Sequence, residues 1–256
     1  MTVLVGDCRA IMPGHAPFDM ILADPPYGDT ALKWDRDVDA WHRLSAHSLG
    51  PTGSLWVFGS LRYFMANAQR FEQAGLKYAQ EVVWRKPNGS GMAADRFKRV
   101  HELLVQFYRA DAKWTRVYNC ILRVPALNRN KSVRRLHPDR FGHVGKIGAH
   151  QYHDDGTRII KSVIEAKSPR RGVHPTEKPV NLLEILIRTS CPPGGLVGDW
   201  FAGSGSAGEA ARATGRRYLG CEIDPAMAAI ANARIATALP FGAASPSHHP
   251  HIGEPS

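Results

Sequence analysis

Apolar residues occur in short runs separated by amphipathic stretches, a pattern that predicts alternating strands and helices. The clearest runs predict buried strands at Phe18–Ala23, 54–59 and 196–201, and weaker runs predict strands at 2–7, 78–84, 101–108 and 217–221. Apolar positions at helical spacing predict helices at 41–49, 62–73, 182–191, 206–214 and from Pro225 onward, behind an Asp224 cap. This alternation predicts an α/β fold with a largely parallel sheet.

One predicted strand ends abruptly in a carboxylate, two prolines and an aromatic ring. The apolar run that starts at Phe18 leads directly into Asp24, Pro25, Pro26 and Tyr27. Proline cannot continue a strand ladder, so the chain must leave the sheet at this point. Asp24 and Tyr27 are therefore expected at the carboxyl edge of the sheet, where open α/β folds bind ligands. A simple strand-ending turn would use the same residues, so this stretch alone leaves both interpretations open.

A second candidate site is the turn Ala202-Gly203-Ser204-Gly205, between a predicted strand and a predicted helix. Glycines let a ligand approach the backbone closely, and Glu222, at the end of the next strand, could accept hydrogen bonds from ribose hydroxyls. A third glycine at Gly208 also fits the spacing of a dinucleotide-binding turn. The turn alone thus leaves a dinucleotide cofactor as an alternative.

Composition narrows the class of protein. The chain has 256 residues, 43% of them hydrophobic, which suffices for one large α/β domain or for a domain with an insertion. No apolar stretch approaches the roughly 20 residues of a membrane span, and the N-terminus does not resemble a signal peptide. We therefore expect a cytoplasmic protein with four reduced cysteines and no metal site. The Pro/Ser/Gly-rich tail 240–256, which contains a histidine cluster, is expected to be disordered.

The positive charge is confined to one part of the chain. Between Lys113 and Arg171 there are 14 basic residues against four acidic ones, an excess of ten that equals the net charge of the whole chain. The rest of the chain is neutral by the same count. Such a segment predicts a polyanionic partner, although a solvated basic face is the alternative.

These segments together resemble a known family, the amino-methylating DNA methyltransferases that use S-adenosylmethionine. Asp24-Pro25-Pro26-Tyr27 resembles their catalytic motif, and Phe201-Ala202-Gly203-Ser204-Gly205 resembles their cofactor loop. Three further segments are similar to other family elements: Trp84-Arg85-Lys86-Pro87-Asn88, His101-Glu102 and His174-Pro175-Thr176-Glu177-Lys178-Pro179. Their order is the permuted "beta" order of the family, with the catalytic half before the cofactor half. Trp200 departs from the pattern, since many members carry proline there.

The resemblance implies roles for individual residues. The catalytic residues would be Asp24, Pro25, Pro26 and Tyr27, with Asp24 and the Pro25 carbonyl accepting the hydrogens of the target amine and Tyr27 stacking on the base. S-adenosylmethionine would be bound at its methionine portion by Asp199, Phe201, Gly203, Ser204 and Gly205 with Thr176 and Lys178 nearby, at its ribose by Glu222, and at its adenine by Asp7 and Cys8. Lys178 would pair with the methionine carboxylate. DNA would be bound by Lys86, Arg129, Lys131, Arg134 and Arg135.

The implied fold is a Rossmann-like methyltransferase sheet with helices on both faces and an inserted target-recognition region. The catalytic half would span 1–112, the basic target-recognition region 113–172, and the cofactor half 173–239. The strand that leads to Phe201 would lie beside the strand that leads to Asp24, so that methyl donor and acceptor meet at one edge.

The implied activity is methyl transfer to the N6 amine of an adenine flipped out of double-stranded DNA. Adenine enzymes of the family mostly carry Asp or Asn at the position of Asp24, whereas cytosine-N4 enzymes mostly carry Ser. Cytosine-N4 methylation stays open as the alternative, and a non-catalytic DNA-binding protein is a distant one. RNA or protein-glutamine methylation is disfavoured, because those enzymes usually carry Asn at this position and lack the permuted order. The expected partners are DNA and a second copy of the chain, with no membrane, and a restriction endonuclease partner is left open.

Overall fold

The computed structural model describes residues 1–28, 35–90, 94–126, 133–135, 150–152, 154–169 and 177–240, with only the backbone described for 90, 133–135 and 150–152. Contacts divide the chain into two compact units. The larger one consists of Met1–Cys120 and Ser162–Ser256, and the smaller one of Ile121–Lys161.

Twelve strands lie in the described part of the chain. They are β1 (Thr2–Val5), β2 (Phe18–Ala23), β3 (Leu49–Gly59), β4 (Leu76–Ser90), β5 (Arg99–Arg109), β6 (Arg123–Pro125), β7 (Val133–Arg135), β8 (His150–Tyr152), β9 (Thr157–Ile159), β10 (Val163–Glu165), β11 (Leu196–Asp199) and β12 (Arg217–Glu222). Eight of them form the sheet of the larger unit, in the order β1-β12-β11-β2-β3-β5-β4-β10. Neighbours are parallel except that β5 runs antiparallel to β3 and to β4. The predicted largely parallel sheet is confirmed.

Six α-helices accompany these strands in the described ranges: α1 (Cys8–Ile11), α2 (Trp41–Ser48), α3 (Leu61–Gln73), α4 (Val180–Ser190), α5 (Ser206–Ala213) and α6 (Pro225–Thr237). The chain crosses from β2 through α2 to β3 in one direction, and from β11 through α5 to β12 in the other. Because parallel crossovers are right-handed, α2 and α5 lie on opposite faces of the sheet. The direction reverses between β11 and β2, and such a switch point is where open α/β sheets bind ligands.

The helix cap and the apolar run that the sequence predicts are both present in the structure. The Asp224 side chain accepts hydrogen bonds from the backbone N–H groups of Ala226, at 2.8 Å, and Met227, at 3.4 Å, and Pro225 occupies the first turn of α6. The apolar run that starts at Phe18 forms the buried centre of the sheet. No helix in the described ranges is long and apolar enough to cross a membrane.

Three strands are longer than the sequence predicts. The predicted strand 54–59 begins at Leu49. The predicted strand 78–84 continues to Ser90, and the predicted strand 101–108 begins at Arg99. The extension includes Pro87, which sits where the β4–β5 pairing shifts register between Arg85 and Ser90, so its missing N–H interrupts no regular ladder. Pairing between β4 and β5, rather than the local apolar pattern, keeps these polar ends extended.

The smaller unit contains two antiparallel strand pairs, β6 with β9 and β7 with β8. The smaller unit covers fewer residues than the predicted target-recognition region 113–172. β10, which falls within that predicted region, belongs to the main sheet, where it pairs with β4. The tail predicted to be disordered lies outside the described residues from 241 onward.

Candidate active site

The switch point brings two carboxylates together. Asp199 ends β11 and pairs in register with Leu22 of β2, so Asp24 follows two residues later at the same edge of the sheet. The expected adjacency of these two strands is confirmed. The backbone N–H of Trp200 also donates to the Leu22 carbonyl at 3.2 Å, a bond that proline at this position could not make.

A cavity of about 610 Å³ opens at this edge. Its lining combines segments from both ends of the chain: residues 6–9, 22–24, 26, 38, 58, 177–178, 183, 199–204, 206–207, 221–224 and 227. Most of the predicted cofactor residues are among them, together with Asp24 and Pro26. Pro25, Tyr27, Gly205 and Lys86 are described but lie outside the lining.

Asp24 is held by two donors. The Tyr27 hydroxyl donates to Asp24 Oδ1 at 2.5 Å, and the Lys178 ammonium lies 2.8 Å from Asp24 Oδ2. Burial and the adjacent Asp24 charge raise the pKa of Tyr27 well above its usual range, so its hydroxyl keeps its proton and remains a donor. The Asp24 carboxylate is thus fixed in orientation and balanced by a cation.

Lys178 connects Asp24 to a second acidic residue, Glu102. The Lys178 ammonium lies 3.5 Å from Glu102 Oε2, and the Lys86 ammonium donates to Glu102 Oε1 at 2.5 Å. Burial alone would lower the pKa of Lys178, but Asp24 and Glu102 together raise it. Burial alone would raise the pKa of Glu102, but Lys178 and Lys86 lower it. The site therefore contains alternating, mutually compensating charges from Asp24 to Lys86.

Two members of this charge cluster, Lys86 and Glu102, were not expected there from the sequence. Lys86 was expected on DNA, but its side chain is only 19% exposed and its ammonium lies over the Trp84 ring, 4.4 Å from the ring centroid. Glu102 was not among the predicted site residues. Its signals in the sequence were a carboxylate at the start of an apolar strand and the resemblance of His101-Glu102 to a family element. The pairing of Glu102 with Trp84 that brings Lys86 near became visible only in the fold.

Asp199, on the other side of the switch point, has uncharged partners. The Tyr218 hydroxyl donates to Asp199 Oδ2 at 3.0 Å, and the backbone N–H of Phe201 donates to Oδ1 at 3.3 Å. The residue is only 5% exposed. Burial raises the pKa of Asp199 to about 7, and the charges of Asp24 and Glu222 act in the same direction.

The glycine turn is shaped by backbone requirements. Gly203 and Gly205 have φ angles of +48° and +79°, in the left-handed region that glycine adopts most easily. A Cβ on Gly205 would lie 2.8 Å from the Ala231 Cβ, so the turn packs closely on α6. Glu222 fixes the turn further, because its Oε2 accepts from the Gly203 N–H at 2.8 Å and its Oε1 from the Asp224 N–H at 3.0 Å.

Asp7 and Cys8 reach the cavity because β1 pairs with β12, with Val5 opposite Glu222. Asp7 caps α1 by accepting from the Arg9 N–H at 2.9 Å, and it forms an ion pair with the Arg9 guanidinium at 2.6 Å. Burial raises the pKa of Cys8 to about 12, so its thiol stays protonated. Both residues lie beside a turn that is remote from them in sequence.

Arg234 of α6 was missed by sequence reasoning. Its guanidinium lies 2.8 Å from Glu177 Oε1 and 2.5 Å from Glu209 Oε2, and it also donates to the hydroxyls of Ser204 and Ser206. It therefore ties the residue before Lys178 to the glycine turn. An arginine on a helix carries no signal of such a role in the sequence.

Several predicted residues are not located by the structure. Thr176, Arg129 and Lys131 lie outside the described residues. Arg134 and Arg135 belong to β7, for which only the backbone is described. Within the described ranges, no three His, Cys, Asp or Glu side chains come together as a metal ligand set.

The family model and the sequence relatives that this chain matches are all methyltransferases. The family model of the DNA methylases, N6_N4_Mtase, matches residues 18–233. The chain is 28% identical over 242 residues to the type II methyltransferase M2.DpnII of Streptococcus pneumoniae, covering 85% of this chain and 82% of that protein. It is 26% identical over 249 residues to M2.LlaDCHI of Lactococcus lactis subsp. cremoris, covering 88% and 84%.

Solved structures share the fold. The M1.HpyAVI–SAM complex matches with a TM-score of 0.62 at 22% identity, covering 91% of this chain and 98% of that one. The cytosine-N4-specific PvuII DNA methyltransferase matches with a TM-score of 0.60 at 17% identity, covering 90% and 84%.

Proposed function

Because the chain belongs to the N6_N4_Mtase family of DNA methylases, we propose that it transfers a methyl group from S-adenosylmethionine to the N6 amine of an adenine in double-stranded DNA. The observation that carries this proposal is the meeting of Asp24 and the cavity beside the glycine turn at the switch point of the sheet. The residue that would hold the methyl acceptor and the cavity that would hold the methyl donor then lie at the same edge of the sheet. The expected roles of the individual residues are part of the proposal.

Asp24 would accept a hydrogen bond from the target amine. This nitrogen is a poor nucleophile, because its lone pair is delocalised into the ring. Acceptance of its hydrogens by the Asp24 carboxylate and the Pro25 carbonyl would favour a tetrahedral nitrogen with its lone pair turned toward the methyl group. An ionised carboxylate has about four acceptor positions, so Asp24 can keep Tyr27 and Lys178 and still accept another donor. Catalysis by these residues is mainly positioning and electrostatics.

The cavity suits a cofactor that carries positive charge. S-adenosylmethionine supplies an electrophilic methyl group on a sulfonium, and its methionine portion carries an ammonium. Asp199 is a buried carboxylate in the lining whose partners among the described residues are uncharged, so a cation next to it would offset the unfavourable burial of its charge. This supports the assignment of Asp199, Gly203 and Gly205 to the methionine portion.

Lys178 would serve both substrates. It borders the cavity, and its ammonium lies between Asp24 and Glu102. We propose that Glu102 positions Lys178, so that one cation orients the Asp24 carboxylate and faces the methionine carboxylate of the cofactor.

The opposite end of the cavity would hold the nucleoside. Glu222 is fixed by two backbone N–H groups and retains acceptor capacity for ribose hydroxyls. Asp7 and Cys8 lie at the same end of the lining, which supports their assignment to the adenine ring. Asp7 also holds Arg9, so its acceptance from the adenine amine would share the carboxylate with that guanidinium.

DNA would be bound through the basic segment 113–172, including Arg129, Lys131, Arg134 and Arg135. Neutral replacements of these four should lower the slope of log affinity against log salt by up to about 0.9 for each phosphate that the protein no longer neutralises. The target base must leave the duplex to reach Asp24, at a cost of a few kcal/mol. We also propose a homodimer, which a mass measurement in solution would test.

The test of the proposed function is to methylate DNA with the purified protein, digest it to nucleosides and identify the product by mass spectrometry. N6-methyladenine is the expected product. N4-methylcytosine alone would favour the alternative, since the same acceptor pair could serve that amine. DNA binding without S-adenosylmethionine binding and without any methylated product would favour a non-catalytic DNA-binding protein.

A further inference from the structure

The hairpin of β4 and β5 projects beyond the sheet on the side where Asp24 lies. Gly59, the last residue of β3, pairs with Leu103, and β5 begins four residues earlier, at Arg99. Since β5 is antiparallel to β3, residues 99–102 lie beyond the carboxyl end of β3, and at about 3.3 Å per residue they extend roughly 13 Å. β4 accompanies them to Ser90. We call the described residues 84–90 and 94–102 the arm.

The tip of the arm carries an unusual side chain. Phe97 has a relative exposure of 102%, and its neighbours Arg96, Lys98 and Arg99 are also exposed. A single exposed aromatic residue is ordinary on a protein surface. A fully exposed ring between basic residues, at the tip of a projecting hairpin, instead has the composition of a surface that binds nucleic acid by stacking and by phosphate contacts.

The base of the arm is fixed relative to Asp24. The ion pair of Lys86 with Glu102 bridges its two strands, and Glu102 contacts Lys178, which holds Asp24. Nearer the tip the strands approach closely, because a Cβ on Gly89 would lie 2.5 Å from Lys98 Cγ. The distance from Arg99, two residues after Phe97, to the catalytic edge is therefore set by the sheet.

We propose that Phe97 is a wedge that enters the base stack of duplex DNA beside the target base, with Arg96 and Lys98 on the adjacent phosphates. This inference rests on the proposed function, which requires a base to leave the duplex. An aromatic ring in the vacated space replaces the stacking that the departing base loses, as apolar wedges do in other DNA-binding proteins. Arg96 lies 2.7 Å from Asp95 in an exposed ion pair, which contributes little to the stability of the protein. A DNA phosphate can therefore take the place of Asp95 as the partner of Arg96.

The experiment uses two synthetic duplexes built around the target site, which sequencing of DNA methylated by the wild-type enzyme identifies. One duplex is fully paired, and the other has an abasic site opposite the target base. The variants are Phe97→Ala, Phe97→Trp, and Tyr78→Ala as the matched control. Tyr78 is an exposed aromatic residue on the same strand β4, but it lies at the opposite end of that strand.

On the paired duplex, kcat/KM of Phe97→Ala should fall by about tenfold or more, because the variant has no aromatic ring to stack on a base. On the abasic duplex this fall should be smaller, since no base pair has to be broken and only the lost stacking has to be replaced. Phe97→Trp should keep most of the activity, and Tyr78→Ala should match wild type on both duplexes.

Two results would overturn the wedge: wild-type activity of Phe97→Ala on the paired duplex, or equal falls in activity on both duplexes. A wild-type enzyme that methylates only single strands would overturn it too, while leaving methyl transfer intact. Absence of any DNA methylation by the wild-type protein would instead overturn the proposed function, and the role of the arm with it.

Discussion

Two carboxylates at the ends of neighbouring strands have opposite electrostatic surroundings. Asp24, after β2, lies 2.8 Å from the ammonium of Lys178, which Glu102 also contacts. Asp199, at the end of β11, receives only a hydroxyl and a backbone N–H from the described residues, and burial raises its pKa to about 7. The two strands are hydrogen-bonded to each other, so position in the sheet does not account for this difference.

With the roles proposed above, the two carboxylates would serve different parts of the reaction. Around Asp24, the positive charges of Lys178 and Lys86 already balance the negative charges of Asp24 and Glu102. A neutral amine can therefore enter without adding an unbalanced charge. On the cofactor side, one carboxylate is buried at an energetic cost that a cationic ligand can offset. The protein would thus keep Asp24 ready for the base and leave Asp199 to be balanced by S-adenosylmethionine.

The largest expected effect is that of Asp24→Ala. Loss of a preorganised acceptor at the reacting nitrogen should lower kcat by about 10²- to 10³-fold. Binding of S-adenosylmethionine, measured by calorimetry, should change little, because Asp199 and Glu222 are untouched. Asp24→Asn is the matched control and should retain more activity, since one acceptor oxygen remains. Normal turnover of the Ala variant would refute the role of Asp24.

Next in size is the effect of Glu102→Gln on stability. The variant leaves Lys86, which is mostly buried, without its carboxylate, and breaking such a pair costs roughly 3 kcal/mol. Urea unfolding would measure the destabilisation, and the double variant with Lys86→Met should recover part of it. Asp37→Asn breaks the exposed pair with Arg70 and should change stability by less than about 1 kcal/mol. Equal destabilisation in both variants would show that the Glu102–Lys86 pair contributes no more to stability than the exposed Asp37–Arg70 pair.

A third prediction concerns pH and Asp199. The pKa of Asp199 is raised from 3.8 to about 7 in the folded protein. The unfolded chain therefore ionises first, and the contribution of Asp199 to stability falls as pH rises from about 4 to about 7. A cationic ligand prefers the ionised form, so S-adenosylmethionine affinity should rise with pH by up to about tenfold per unit below pH 7.

Asp199→Asn supplies the control for that prediction. Its affinity should lack this increase, and its stability should lack the corresponding fall. Titration of the cofactor's own ammonium affects both proteins equally, so it cancels in the comparison. Parallel affinity curves for wild type and variant would contradict a charge interaction at Asp199.

The smallest effect is expected from Tyr218→Phe. The Tyr218 hydroxyl lowers the pKa of Asp199 by donating to it. Its removal should move the midpoint of the affinity curve to higher pH, and at pH 6.5 it should weaken cofactor binding by about 1 kcal/mol or less. Calorimetric titrations at several pH values would detect the shift. A midpoint that stays in place would mean that the Tyr218 hydroxyl does not help to set the pKa of Asp199.

Much of the fold could be predicted because its signals are local. The apolar run from Phe18 and the prolines after Asp24 predicted a strand and its end. A turn was predicted at Gly203 and Gly205, and the structure gives both residues positive φ angles. The resemblance to a known family ordered these pieces and placed Asp24 beside the glycine turn. The length of β4 could not be predicted, because residues 85–90 are polar and stay extended only through pairing with β5.

The sequence by itself determined the alternation of strands and helices, the end of β2 before Asp24 and the glycine turn after β11, since backbone geometry and apolar spacing act over a few residues. Only the tertiary structure decided the charge partners. It set Lys178 between Asp24 and Glu102, turned Lys86 onto Glu102, and gave Asp199 uncharged hydrogen-bond donors from the described residues. The physical reason is that ion pairing and burial depend on residues remote in sequence, which meet only once the strands have taken their order in the sheet.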